Sequence, residues 1–211
     1  MLTKGLSPKT KDNLESLGKL SFVSKYYLAG GTGLSLHLGH RFSYDLDFFS
    51  KKPEIPAVIS QHLLDLGRLE ILQNDSGSFN GSLNGIKLSF FNYPYPLLFK
   101  PLLFQGIKIA SVLDIACMKI VAISERGTKR DFIDLFFICY QSSFDKIIEL
   151  FSQKYHKVNY NLIHILKSLV YFEDAENDPE PQMIEKVNWQ EVKQFFEKEA
   201  IRLGKKFLIK R

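Results

Sequence analysis

The sequence predicts an α+β fold: a domain of strands and helices over residues 1–140, followed by a helical C-terminal region over residues 141–211. Short apolar runs typical of strands alternate with helical patterns as far as residue 110. An Asn-Gly pair, Asn84-Gly85, separates two strand-like pieces and indicates a β-hairpin. Beyond Gln141 the apolar residues have a helical period, so we expect that region to pack on the first domain as helices.

Local signals justify the elements in order. Ser7 and Pro8 predict a helix start, because serine caps helices well and proline suits the first helical position. KYYLAGG predicts a buried strand, TGLSLHL a short helix and SYDLDFFS a strand of period two. The remaining predictions are a helix at 56–66, strands in GRLEILQND, GSLNGIKLSFFNY and GIKIAS, and helices at about 111–126, 129–140, 143–157, 160–172 and 188–205.

Composition restricts the class of protein. Hydrophobic residues make up 45% of the 211 residues and charged residues 24%, which predicts a packed core. The net charge of +5 is compatible with a polyanionic partner but equally with none. The N-terminus lacks a signal-peptide pattern and no apolar run is long enough to span a bilayer, so we expect a cytoplasmic protein without a membrane partner.

The segment AGGTGLSLHLGHRFSYDLDFF contains the first group of candidate residues. Alternation along a strand places Asp45 and Asp47 on one face, where a hard cation such as Mg²⁺ (or Mn²⁺) would relieve their repulsion. Gly30-Gly31 and Thr32 precede a helix and would offer backbone N–H groups to an anion. Each feature alone is also compatible with an ordinary turn or strand. The absence of a third glycine and of a Gly-Lys-Ser/Thr sequence excludes dinucleotide and Walker-type loops.

A second group lies in SVLDIACMKIVAISERGTKRDFIDLFF. At the helical period, Lys119 falls in the centre of an apolar stripe, and Arg126 lies two turns further along that face. An inward lysine is costly unless an anion meets it, although its amine can also extend to solvent. Two cations on one line suit a triphosphate. Arg130 and Asp131 could orient this junction or form a surface pair.

Together the two groups resemble the motifs of AbiEii/AbiGii-type nucleotidyltransferases, toxins of type IV toxin–antitoxin and abortive-infection systems within the DNA polymerase β-like superfamily. The family pattern is G-G-T-x-L, then R-x-S-x-D-[LI]-D, then K-x-x-A or a similar sequence, and then R-x-x-x-[RK]-D-x-x-D-L. The matching residues are Gly30, Gly31, Thr32, Leu34, Arg41, Ser43, Asp45, Asp47, Lys119, Ala122, Arg126, Arg130, Asp131, Asp134 and Leu135.

The resemblance implies a nucleotidyltransferase-like mixed β-sheet flanked by helices, and an enzyme that transfers a nucleotide from an NTP to an acceptor hydroxyl of RNA or tRNA. It implies that Asp45 and Asp47 hold Mg²⁺ and that Lys119 and Asp131 are catalytic. The implied nucleotide-binding residues are Gly30, Gly31, Thr32, Ser43, Arg126 and Arg130. A cognate antitoxin is an implied partner.

One position departs from the wider superfamily, which has a third carboxylate on a later strand. Ser89 occupies the expected place in GIKLSFFNY. Asp131, Glu70 or water could replace that acid, or the protein could bind nucleotide without turning it over. Loss of a general base typically costs about 10²–10⁴ in rate, which would leave a slow enzyme. A catalytically decayed nucleotide- or partner-binding module is therefore one competing hypothesis. A metal-dependent nuclease is another, because carboxylates and a lysine also serve phosphodiester hydrolysis.

Overall fold

The structure is a computed structural model that describes residues 1–75 and 77–208. The chain forms two compact units, one of residues 1–111 and one that begins at Val112. The first unit contains α1 (Pro8–Gly18), a 3₁₀ turn (Ser21–Lys25), β1 (Tyr27–Leu28), α2 (Gly30–Leu38), β2 (Leu46–Ser50), α3 (Pro56–Leu64), β3 (Leu69–Asp75), β4 (Ser78–Leu83), β5 (Ile86–Asn92), β6 (Leu102–Phe104) and β7 (Ile107–Ile109).

The strands of the first unit form one mixed sheet, which within the described residues has the order β3-β4-β5-β2-β1-β7-β6. Strand β2 lies near the middle, parallel to β5 and antiparallel to β1. β1 is parallel to β7, whereas β3, β4 and β5 form an antiparallel meander. The α+β class and the mixed sheet flanked by helices are thus confirmed.

Local chemistry explains the main boundaries. The Ser7 hydroxyl accepts a hydrogen bond from the backbone N–H of Thr10 at 3.1 Å, so the predicted cap of α1 is present. Asn84 and Gly85 have φ values of 53° and 80° and join β4 to β5. Positive φ at both central residues is what a type I′ hairpin turn requires, and this confirms the predicted hairpin.

The core of the first unit lies on one face of the sheet. Leu46 and Phe48 of β2 and Leu88 of β5 are fully buried there, and α1, the 3₁₀ turn and α3 contribute further apolar side chains to the same cluster. Because side chains alternate along a strand, the opposite face receives Asp47 and its neighbours at every second position. The alternation predicted for SYDLDFFS therefore separates core residues from site residues.

The second unit is helical. It contains α4 (Val112–Glu125), α5 (Lys129–Cys139), α6 (Phe144–Lys154), α7 (Leu162–Ser168), α8 (Glu173–Glu176) and α9 (Trp189–Leu208). α4 packs on α5, α6 and α7, and α5 packs on α9. Because α4 and α5 pack on the later helices, this unit begins at Val112, whereas the sequence prediction divided the domains at residue 140.

Several elements differ from the sequence prediction. The 3₁₀ turn, β6 and the single-turn helix α8 were not predicted, since three to five residues are too few to establish a period. Strand β2 begins at Leu46, so Asp45 lies immediately before the strand and not within it. Helix α2 begins at Gly30, two residues earlier than the sequence TGLSLHL indicated.

Candidate active site

Two glycines bring the start of α2 against the acidic end of β2. Gly30 has φ +61°, and a Cβ at this position would lie 3.0 Å from Oδ2 of Asp47. The backbone N–H of Ala29 donates to the carbonyl oxygen of Asp47 at 3.1 Å, which fixes the two segments together. Gly30 is therefore required both by its backbone conformation and by the proximity of the Asp47 carboxylate.

Gly31 leaves space for the buried guanidinium of Arg41. A Cβ there would lie 2.5 Å from a terminal nitrogen of Arg41 and 2.9 Å from Oγ of Ser43. Arg41 is only 3% exposed, and its guanidinium donates to the carbonyl oxygen of Phe42 at 2.9 Å. The N-terminus of α2, which has no side-chain cap, thus lies beside a guanidinium and a hydroxyl. This combination of donors suits a phosphate group.

Thr32 connects the loop to the helix. Its hydroxyl is hydrogen-bonded to Oγ of Ser43 at 2.9 Å and donates to the carbonyl oxygen of Asp45 at 2.5 Å. The side chains of Thr32 and Ser43 are both buried. The Thr32 side chain therefore holds the segment that carries the acids in place, while its backbone N–H belongs to the first turn of α2.

Asp45 and Asp47 are both half-buried, and they flank the fully buried Leu46. The Asp45 carboxylate has no ion pair or hydrogen bond among the described residues. Two neighbouring carboxylates suit a hard divalent cation, which is coordinated by carboxylate oxygens and waters together. Over residues 1–75 and 77–208 no cluster of three or more acids, histidines or cysteines is close enough to hold a metal.

Ser89 lies directly beside Asp47. The parallel register of β2 and β5 pairs these two residues, so both side chains point to the same face of the sheet. Ser89 is 1% exposed, and its hydroxyl has no hydrogen-bond partner among the described residues. Such a buried, unsatisfied polar atom is unusual and marks a site that a ligand or ordered water can complete.

Glu70 is too distant to replace a carboxylate at this position. It lies on β3, three strands from β2 in the order of the sheet. Neighbouring strands are about 4.8 Å apart, which separates the two strands by roughly 14 Å. Glu70 instead pairs with Arg68 at 2.7 Å on the surface.

The second unit contains a compact charge cluster centred on Lys119. The Lys119 amine lies 2.7 Å from Oδ1 of Asp131 and 2.6 Å from Oδ2 of Asp134. Its side chain is 7% exposed, so it does not extend to solvent, and the anions that meet it are protein carboxylates. A helix that buries a lysine and a neighbouring helix that buries two acids thus satisfy one another.

Asp131 is held by three donors. Burial by itself raises the pKa of the Asp131 carboxyl, but the charges of Lys119 and Arg126 and the hydrogen bonds from Lys119 and Thr128 outweigh it, so that its pKa lies below the ordinary value. Lys119 contacts Oδ1, whereas Arg126 and Thr128 contact Oδ2 at 3.2 and 2.7 Å. A carboxylate with a low pKa and both oxygens occupied is a poor general base.

The two arginines of this region differ. Arg126 joins the cluster through Asp131 although two-thirds of its side chain is exposed, at 67%. Arg130 lies exposed in the first turn of α5, and its side chain makes no ion pair within the described part of the chain. Lys119 and Arg126, which the helical period places on one line, thus meet at Asp131, while Arg130 stays outside this cluster.

Two residues of this site were not among the predicted site residues. Arg41 and Asp134 both belong to the motif pattern, but neither is a predicted site residue. No local pattern points to Arg41, because its proximity to Gly31 arises only in the folded chain. The signal for Asp134 was its helical spacing of i+3 from Asp131, which places both acids on one side of α5.

The fold defines a class, because its mixed sheet flanked by helices is shared with solved nucleotidyltransferase structures. The structure is similar to JHP933 from Helicobacter pylori, with a TM-score of 0.55 and 17% identity over 95% of this chain and 94% of that one. It is also similar to the nucleotidyltransferase toxin MenT4 from Mycobacterium tuberculosis H37Rv, with a TM-score of 0.54 and 14% identity over 92% and 82% of the two chains.

The family follows from sequence. The profile described as "Nucleotidyl transferase AbiEii toxin, Type IV TA system" matches residues 14–75 and 90–202. This chain belongs to the AbiEii nucleotidyltransferase toxin family, which confirms the resemblance seen in its motifs. It is 41% identical over 205 residues to the Aquifex aeolicus (strain VF5) protein aq_aa25, covering 92% of this chain and 96% of that protein.

No helix among residues 1–75 and 77–208 combines the length and apolar character that a bilayer crossing needs.

Proposed function

We propose that this protein transfers a nucleoside monophosphate from an NTP to a hydroxyl of RNA, with tRNA as the expected acceptor, in a reaction that depends on Mg²⁺ or Mn²⁺. The observation that supports this most directly is the placement of the Asp47 carboxylate against Gly30, at the uncapped N-terminus of α2. Metal-holding acids and phosphate-binding N–H groups are needed together in nucleotidyl transfer, because the cation must contact phosphate oxygens.

Residues of the first cluster would hold the nucleotide. Asp45 and Asp47 are the proposed metal ligands, and the bound cation would supply charge neutralisation and Lewis-acid polarisation at the phosphates. The backbone N–H groups of Gly30, Gly31 and Thr32 would orient phosphate oxygens. Ser43 and the buried Arg41 guanidinium, both next to Gly31, would add a hydrogen bond and a positive charge.

Roles for the second cluster are proposed from the resemblance of its motif to the family. In the reaction the acceptor oxygen bonds to the α-phosphorus and the bond from that phosphorus to the bridging oxygen breaks, so pyrophosphate leaves with the electron pair. The proton of the acceptor hydroxyl passes to water, since Asp131 is a poor base. Lys119 and Asp131 are the proposed catalytic residues, and Arg126 and Arg130 the proposed nucleotide-binding residues. The Lys119 amine is held by Asp131 and Asp134 and would order the cluster, whereas the largely exposed Arg126 would offset phosphate charge.

The proposed acceptor and biological role rest on the family. The net charge of +5 is compatible with a polyanionic acceptor such as RNA but does not by itself favour one. Membership of a type IV toxin family supports a role as the toxin of a toxin–antitoxin or abortive-infection system, with a cognate antitoxin protein as partner. We place this activity in the cytoplasm, where NTPs and tRNA are found.

A transfer assay tests the proposal. The protein is incubated with each labelled NTP, Mg²⁺ and total RNA, and transfer of label to RNA is measured. Asp45→Ala and Lys119→Ala should each reduce transfer by at least about 10²-fold, the size of effect seen when one charge-stabilising group is removed. Asp45 is the cleaner test of the two, because its carboxylate has no partner among the described residues whose loss would disturb folding.

Two exposed residues serve as controls. Asp65→Ala and Lys186→Ala remove the same charges at exposed positions and should leave transfer unchanged. Circular dichroism establishes that each variant is folded. Full transfer by both site variants would refute the proposal.

The buried Ser89 beside Asp47 favours a second candidate, a member that binds nucleotide without turning it over. Calorimetry with each NTP, with and without Mg²⁺, distinguishes the two functions. Mg²⁺-dependent binding without any transfer supports the binding module, and transfer to RNA excludes it.

A further inference from the structure

Strand β5 contributes a lysine amine and a serine hydroxyl to the face of the sheet that carries Asp47. The register pairs Leu46 with Leu88 and Asp47 with Ser89. By the alternation of a strand, Lys87 and Ser89 lie on the same face as Asp47. Lys87 is exposed and makes no ion pair among the described residues, whereas Ser89 is 1% exposed.

The row beyond Ser89 adds no negative charge. Asn80 of β4 pairs with Ser89 of β5, so the sequence of side chains across the sheet from β2 is Asp47, Ser89 and Asn80. The first acid in the neighbouring row is Glu70, on β3 and paired with Arg68. Among the described side chains of these two rows, the carboxylate nearest Ser89 is that of Asp47, and Asp45 immediately precedes β2.

Two carboxylates balance the charge of one divalent cation. Sites that hold two such cations place them about 3.5–4 Å apart, and their mutual repulsion requires further anionic ligands, commonly a carboxylate shared between them. The place next to Asp47 where such a ligand would stand is Ser89, and its unsatisfied hydroxyl is a neutral donor. The positive charge of Lys87 on the same face further opposes a second cation.

We propose that Ser89 limits this site to one divalent cation per bound nucleotide, and that Lys87 contributes a positive charge to the same face in place of a second cation. This inference rests on the proposed function, because it assumes that Asp45 and Asp47 bind the metal–nucleotide complex. It adds the number of ions and the two residues that determine it. Asp131 does not provide the missing charge, since Lys119, Arg126 and Thr128 already occupy both of its oxygens.

Mn²⁺ electron paramagnetic resonance of the full-length protein tests the proposal. Each of the four NTPs is supplied as its non-hydrolysable α,β-methylene analogue, and bound Mn²⁺ is counted from the loss of the free-ion signal. Two Mn²⁺ ions about 4 Å apart also couple magnetically, which changes the spectrum independently of any activity. We expect the wild-type complex to hold one ion and to show an uncoupled spectrum.

Matched substitutions at Ser89 separate charge from shape. Ser89→Asp should bind a second Mn²⁺ and show the coupled spectrum. Ser89→Asn introduces a side chain of nearly the same size as aspartate but without its charge, and should retain one ion. Lys87→Met, combined with Ser89→Asp, should strengthen binding of the second ion by about tenfold, the effect of removing one nearby like charge.

The outcomes are distinct for the two proposals. Two coupled ions in the wild-type complex, or one ion in a folded Ser89→Asp protein, would overturn the limit set by Ser89 while leaving nucleotidyl transfer intact. If no analogue binds with Mn²⁺, or if Asp45→Asn leaves the bound ion unchanged, the proposed metal site itself fails and the inference falls with it.

Discussion

At the scale of single residues, Gly30 and Lys119 are each matched to neighbouring carboxylates. Gly30 has a left-handed φ, and a Cβ at this position would press against the Asp47 carboxylate, at 3.0 Å from Oδ2. Lys119 is buried only because Asp131 and Asp134 accept its charge. Replacing either partner of such a contact affects the geometry of the other, so functional and structural roles overlap at these positions.

Gly30→Ala is expected to weaken Mn²⁺ binding by about 10–100-fold, as is typical when a group that orients a metal ligand is disturbed. The new Cβ would lie 3.0 Å from Oδ2 of Asp47 and displace that carboxylate. Strain in the left-handed backbone should also lower the free energy of unfolding by about 1–2 kcal/mol. Mn²⁺ titration and urea unfolding measure the two effects.

Gly85→Ala is the matched control for Gly30→Ala. Gly85 also has a positive φ, at +80°, but a Cβ there would meet no atom within 4 Å. It should lose a similar amount of stability and retain full Mn²⁺ affinity. Equal losses of affinity in the two variants would show that backbone strain, and not the contact with Asp47, is responsible.

At the scale of elements, α5 depends on a distant segment for its N-terminal cap. Thr128 makes no side-chain cap, and the backbone N–H of Lys129 instead donates to Oδ2 of Asp178 at 2.8 Å. The Lys129 amine is bound by Glu180 at 2.8 Å and lies 5.5 Å from the centre of the Trp189 ring. The acidic stretch EDAENDPEPQ, which contains Asp178 and Glu180, therefore stabilises the helix that carries Asp131.

Asp178→Ala should lower the free energy of unfolding by about 1 kcal/mol, the usual value of a helix cap, with a further contribution from the helix dipole. Thermal and urea unfolding measure this loss. Asp174→Ala removes a charge from the same acidic stretch at a residue that makes no hydrogen bond to α5 in the described structure, and it should be nearly neutral. If both variants lose the same stability, general charge and not capping is the cause.

At the scale of the whole molecule, the two units are stabilised by different means. The first unit has a large apolar core on one face of its sheet. The second unit buries ion pairs among its helices, including Lys154 of α6 with Asp114 of α4 at 2.9 Å, both fully buried. Buried pairs of this kind make stability depend on protonation, because each carboxylate must remain charged to satisfy its partner.

The chain should therefore lose stability in acid partly through Asp131. Its folded pKa lies below the ordinary value of 3.8, so its contribution is fully present above that pH and disappears as the pH falls through the folded pKa. Asp131→Asn should cost about 3 kcal/mol near neutral pH, as expected for breaking a buried pair. The difference from wild type should shrink below about pH 4 in urea unfolding series.

Asp145→Asn is the control at the surface. Hydrogen bonds from Arg202 and Lys206 lower the pKa of Asp145 to about 2, yet the group is largely solvated. An exposed pair contributes only about 0–1 kcal/mol. A stability difference for Asp131→Asn that does not change with pH would mean that the variant disturbs packing and not charge.

The sequence by itself determined the family, the α+β class and most elements. Local chemistry suffices for these: Asn84-Gly85 can form a type I′ turn without help from the rest of the chain, and Ser7-Pro8 specifies a helix start. The alternation around Leu46 and Phe48 likewise separated core from site before any contact was known. The joint motif containing Asp45, Asp47 and Lys119 identified the family because it combines many positions at fixed spacing.

Only the tertiary structure decided which of these residues meet. The register that places Ser89 beside Asp47, the approach of Gly31 to Arg41 and the capping of α5 by Asp178 all join segments distant in the sequence. Periodicity reports which face a residue occupies but not which partner lies opposite. Partners depend on strand register and helix packing, which arise from the burial of the whole core, and so the ligands of Lys119 became known only once the chain was folded.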